Sequence, residues 1–114
     1  MKACLALMLA GLCTVAVSPA IAGSQKGNVV NLTVRSSDGL IFLQLSGTAS
    51  DRPQCALQQT YWMIPNETTD AGKRIYALLL SAQASGRLVQ IFGSNTCNRW
   101  LDGEDIETAS MVEQ

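Results

Sequence analysis

Between Thr69 and Phe92 the spacing of apolar positions changes once, and the change marks a helix running into a strand. In TDAGKRIYALLLSAQASGRLVQIF, Ala71, Ile75, Leu78, Leu79 and Ala82 recur at spacings that share one face of an α-helix. Thr69 or Asp70 is placed to cap the first free N–H groups, and Ser85-Gly86 supplies the residue that best tolerates the left-handed conformation closing a helix. Leu88-Val89-Gln90-Ile91-Phe92 then has the β-branched, apolar character of a short buried strand. Upstream, Val30, Leu32 and Val34 alternate with Asn31, Thr33 and Arg35, which predicts a half-buried first strand, and Asp38-Gly39 marks a hairpin into a second strand, Leu40 to Gly47. That strand puts Ile41, Leu43 and Leu45 on one face and Leu40, Phe42 and Gln44 on the other. Its outer face is apolar at one end and calls for cover, so Leu40 and Phe42 are candidate residues of an interface between subunits.

Cys55 to Ile64 reads as a third strand ended by Pro65-Asn66, in which Tyr61 and Trp62 point to opposite faces. Ile106 to Val112 alternates as a final strand, and the glycine-rich Gly23 to Gly27 reads as a frayed terminus. The predicted order is strand, strand, strand, helix, strand, strand: mainly β with one helix. That is the element order of the OB-fold, a five-stranded Greek-key barrel, here with its helix between the third and fourth strands. An open antiparallel α+β sheet with the helix on one face is the alternative.

The first 22 residues read as a secretory leader: Lys2 supplies the positive charge, Leu5 to Val17 the apolar run, and Ala20-Ile21-Ala22 the small-x-small cleavage signal, which places the cut after Ala22. The apolar run is shorter than the roughly 20 residues a membrane span needs. Cys4 and Cys13 belong to this leader as apolar residues. Residues 23–114 form one small domain with seven basic and nine acidic side chains. A near-neutral domain with scattered basic residues lacks the charge footprint of a nucleic-acid binder. Its two cysteines, Cys55 and Cys97, reach an oxidising periplasmic or extracellular compartment and are expected to pair as a disulfide.

The chain has no histidine, so a general base would have to be a carboxylate, lysine or tyrosine, and no pair of these is convincing. No phosphate loop, GxSxG elbow, cofactor motif or metal-ligand spacing is present. The expectation is therefore a protein that is not an enzyme and carries no cofactor or metal. The acids from Asp102 to Glu107 read as a solvated loop and edge strand. Binding chemistry is better served by Asn95, Thr96, Asn98, Arg99, Trp100 and Asp102. A sugar ring presents an apolar C–H face and a rim of hydroxyls, which suit a tryptophan beside amide, guanidinium and carboxylate groups. Trp100 packing over the Cys55–Cys97 bridge as part of the core is the competing expectation.

Three segments carry a resemblance: Gly27-x-Val29-x-x-Leu32-x-Val34-Arg35-Ser36-x-Asp38-Gly39, the helix with Ala71-Gly72-Lys73, Tyr76-Ala77-Leu78-Leu79-Leu80 and Ala84-Ser85-Gly86-Arg87, and the turn Gly93-Ser94-Asn95-Thr96-Cys97-Asn98-x-Trp100. Together they resemble a group of small exported bacterial proteins mostly of unassigned function. More distantly, Ser85-Gly86-Arg87 running into Leu88-Val89-Gln90-Ile91-Phe92 resembles the B subunits of subtilase-cytotoxin-like and pertussis-like toxins. That resemblance implies an OB-fold, a ring of subunits joined through strand edges, and glycan binding on the ring surface. The chain departs from those subunits in being shorter and in having one disulfide. The function expected is a binding module for a glycan or another cell-surface ligand; the alternative is a periplasmic structural or protein-interaction subunit, or an inhibitor.

Overall fold

The computed structural model describes residues 21–114 together with Gly11 and Cys13. The leader expected over 1–22 thus falls almost wholly outside the described residues. Helix α1, Asp70–Ser85, forms where the apolar period is helical: Thr69 Oγ1 accepts from the backbone N–H of Gly72 at 3.1 Å, and Gly86, at φ 67°, closes the other end. Leu79 and Ala82 are buried, and Ile75, Tyr76 and Leu78 pack against the same core. Ala71, expected on that face, is exposed. Its neighbour Gly72 faces inward, where a Cβ would stand 1.8 Å from the carbonyl oxygen of Asn66.

Six strands surround the core: β1 (Ser24–Gly27), β2 (Val29–Val34), β3 (Ile41–Leu45), β4 (Tyr61–Met63), β5 (Val89–Gly93) and β6 (Glu104–Met111). Their order in the sheet is β1-β5-β6-β4-β3-β2. The β4–β6 pair is parallel and the others antiparallel, so the sheet is mixed and not the antiparallel alternative. Asn28 alone separates β1 from β2, which makes the two ends of that order consecutive halves of one bent strand. On one side β1 pairs with β5, from Ser24↔Phe92 to Gly27↔Val89. On the other, Ser46 N donates to Asn28 O at 2.9 Å, and Ser24 and Ser50 exchange two backbone bonds of 2.9 Å, continuing the register of the Val29↔Leu45 pair. The sheet therefore closes on itself as five strands in OB-fold order, with α1 between the third and the fourth.

The closing seam depends on residues of the segment expected to be frayed. A Cβ on Gly27 would lie 2.2 Å from Ser46 O, so the strands approach here only through glycine. Gln25 is buried and fully used: its Nε2 donates to the carbonyls of Leu45, Ser46 and Gly47, and its Oε1 accepts from Trp62 Nε1 at 2.8 Å. Trp62, Leu43, Leu79, Val89 and Ile91 are fully buried around it.

Three further expectations are corrected. The alternation in β2 slips at a bulge between Val29 and Asn31, so Val29 is core while Val30 and Val34 are exposed. The third strand is only Tyr61–Met63, because the chain before it makes a short 3-10 turn, Gln54–Ala56, and wraps around Arg52, which donates to the carbonyls of Ala56, Gln59 and Tyr61. The last strand starts at Glu104, and Glu104 and Asp105 are buried at 0% and 2% exposure, not solvated. Two expectations are observed: Tyr61 and Trp62 face opposite sides of the wall, and Asp38-Gly39 turns the first hairpin with Gly39 at φ 75°.

Candidate ligand-binding clefts

The segment from Ser94 to Gly103 crosses the outside of the barrel and is tied down at four points. Cys97 is joined to Cys55. The buried Asp105 carboxylate accepts from Thr96 Oγ1 at 2.8 Å and from the backbone N–H groups of Asn98 at 2.8 Å and Arg99 at 3.2 Å. Asp102 accepts from Gln59 Nε2 at 3.1 Å and from the Tyr61 hydroxyl. Arg99 grips both oxygens of Glu67, at 2.7 and 3.1 Å, and lies 3.7 Å from Asp38.

This path separates the six expected ligand residues. Thr96, Asn98 and Arg99 line a polar cleft of about 520 Å³ with Pro65, Asn66, Ser94, Asp105, Ile106 and Glu107. Asn95 turns the chain at φ 63°, a left-handed conformation that asparagine tolerates, and its N–H donates to Glu104 Oε2 at 3.1 Å. Asp102 is committed to Tyr61 and Gln59. Trp100 lies apart from the polar cleft: with Arg35, Leu40, Phe42, Tyr61 and Met63 it lines a cleft of about 180 Å³ on the outer wall of β3 and β4. It is therefore outside the buried core, and it lines a different cleft from Asn98.

The aromatic cleft is built by three separate parts of the chain. Pleating turns Phe42 and Tyr61 outward from neighbouring strands, with ring centroids 5.6 Å apart at 56°. The Arg35 guanidinium stands 4.5 Å over the Trp100 ring and is held there by Asp38 through bonds of 2.9 and 2.6 Å. The Arg35 bond holds the Asp38 carboxyl well below the usual carboxylate range, and Asp38 in turn raises Arg35. Arg99 lowers Glu67 in the same way. Burial, followed by the bond to Asp102, pushes Tyr61 up to about 12, so its hydroxyl stays protonated. Leu40, expected at a subunit interface, is 2% exposed and forms the wall of this cleft, while Phe42 is half-buried beside it. The chain itself thus covers Leu40 and part of Phe42. Arg35, Tyr61 and Met63 are the cleft residues that the sequence placed among neither the ligand nor the interface residues; a signal existed in the hairpin, which brings Arg35 to the edge of the Phe42 face.

Among the described residues no group of three or more His, Cys, Asp or Glu side chains is arranged to hold a metal ion, and no helix is long and apolar enough to cross a membrane. Fold and cleft together define a small disulfide-linked barrel of OB-fold topology with an aromatic cleft on its outer wall. No protein-family model, curated protein or solved structure matches the chain.

Proposed function

We propose that the protein is an exported, non-enzymatic binding module that holds a sugar ring of a glycan in the Trp100 cleft. The observation that carries this reading is the convergence of Trp100, Tyr61 and Phe42 with Arg35 in one open cleft. Aromatic faces suit the C–H face of a pyranose, and the guanidinium N–H groups of Arg35 not turned to Asp38 suit its hydroxyls. The cleft also occupies the strand face and flanking loops where OB-folds generally take their oligomeric ligands. The polar cleft is larger, but two of its three charged groups, Arg99 and Asp105, are already bonded within the chain, and the third is the exposed Glu107. The disulfide and the leader pattern support export.

The test is a glycan array probed with wild type and with Trp100→Ala. Binding by wild type that falls at least tenfold in the variant is expected, with little change in melting temperature because Trp100 lies outside the core. Glycan binding that Trp100→Ala leaves intact, or no glycan binding by wild type, removes the reading.

A further inference from the structure

Glu104 is completely buried, and among the described residues only one of its carboxylate oxygens is used. Oε2 accepts from the N–H of Gly23 at 3.0 Å and from that of Asn95 at 3.1 Å, whereas Oε1 has no hydrogen-bond partner. No basic side chain forms an ion pair with it among the described residues. Arg52 approaches closest: its Cγ would lie 3.2 Å from a Cβ on Gly23, and its guanidinium, stacked over the Trp62 ring 4.4 Å from the centroid, feels the Glu104 charge without forming an ion pair, while its Nε has no partner among the described residues. A buried carboxylate without a directly bonded cation costs several kcal/mol of desolvation. The space around it is shaped for backbone alone. A Cβ would lie 2.2 Å from Glu104 Oε1 at Gly23 and 1.9 Å from Oε2 at Gly93.

We infer that Glu104 is a built-in receptor for a primary ammonium, and that the ammonium is the chain's own N-terminus, created at Gly23 by cleavage after Ala22. Two independent observations meet at the same bond. The small-x-small signal Ala20-Ile21-Ala22 ends at residue 22, and the buried carboxylate contacts the nitrogen of residue 23. Hydrolysis of the Ala22–Gly23 amide by an export peptidase consumes one water, leaves a carboxylate on Ala22 and places an ammonium on Gly23. The single N–H that now reaches Oε2 becomes three donors and a full positive charge on the same atom, which supplies Oε1 with a partner and the carboxylate with its counter-ion. Next to the bond, Ile21 is 63% exposed and Ala22 is half-buried. This rests on the export reading above but not on the ligand.

Among the described residues all strands and the helix lie within 24–111, so residues 23–114 contain the whole described fold. The charged groups facing the Gly23 nitrogen are Glu104 on β6 and Arg52 from the segment before β4; Gly93 and Asn95 add backbone groups, and Asp51 beside Arg52 is exposed. Pairing with the carboxylate raises the folded-state value of the α-amine above its usual value of about 8. The stabilisation is therefore complete below about pH 8 and is lost as pH rises through the folded value.

The experiment begins with the mass of the full chain after passage through a bacterial export pathway, expected to match residues 23–114 with a disulfide. Melting temperatures at pH 7 are then compared for chain 23–114, its Nα-acetylated form, and chain 22–114. The free Gly23 amine should melt about 5–10 °C above both blocked forms, and the gap should close as pH rises and vanish in Glu104→Gln. Because that variant can lose stability by itself, the ionisation of the Gly23 amine, followed by NMR in wild type, gives a second reading and should lie well above 8. Equal melting of the three forms, an amine titrating at its ordinary value, or a product starting at another residue would overturn the inference.

Discussion

Glu104 and Asp105 are consecutive residues of one strand, equally buried, and the pleat sends their carboxylates in opposite directions. Asp105 receives the Thr96 hydroxyl and two backbone N–H groups and so organises the segment that carries Trp100. Among the described residues Glu104 receives two N–H groups on one oxygen and none on the other. Similar acids at adjacent positions therefore do different work: one is a finished anchor inside the folded chain, and the other has capacity left over. The difference shows that burial alone does not distinguish a structural carboxylate from a receptive one; the partner of each oxygen does.

The largest effect should come from cutting the anchored side at its covalent tie. Replacing both Cys55 and Cys97 by serine releases a loop of sequence separation 42. Chain entropy then predicts a loss of about 4 kcal/mol, measurable by urea unfolding. Next, Asp105→Ala should cost about 3 kcal/mol, because it strands the Thr96 hydroxyl and the N–H groups of Asn98 and Arg99. In a chain that retains residues before Gly23, Glu104→Gln should change stability by no more than about 1 kcal/mol, since the amide oxygen keeps the N–H groups of Gly23 and Asn95 and the buried charge is removed. Equal losses at the two positions would erase the contrast. Trp100→Ala should divide binding from stability, as stated above, because the segment stays tied by Asp105 and the disulfide.

The smallest effect concerns pH. Asp38 and Glu67 have folded-state values depressed by Arg35 and Arg99. Their contribution is present above the unfolded value of about 4 and is lost as pH falls through the folded values. Asp38 is exposed, so a shallow decline in melting temperature below pH 4, further weakened by salt, is expected. A steep decline unaffected by salt would point to the buried acids instead.

Much of the architecture was legible because local and global preferences agree. Helix α1 announces itself through Thr69, its apolar face and Gly86, and the hairpin through Asp38-Gly39. What was not legible depended on contacts between distant segments. Gly23 to Gly27 looks like a frayed end until β5 and Ser46 to Ser50 are brought against it. The acids at 104 and 105 look solvated until the donors that enclose them are known. The candidate site was half legible for the same reason: Trp100 was marked by its type, but its companions Arg35, Phe42 and Tyr61 come from other strands and turns.

The bent first strand has a kinetic consequence. Its pairing with β5 joins Ser24 to Phe92, so the barrel cannot close until nearly the whole chain is present. Such distant pairing places folding in the slow range of small domains, on the order of milliseconds to seconds. A chain synthesised from its N-terminus would thus hold its first strand unpaired, open-edged, until β5 and β6 follow. Chaperones that shield free strand edges would have their longest opportunity during that interval, and the final annealing step would be the meeting of the two ends of the domain.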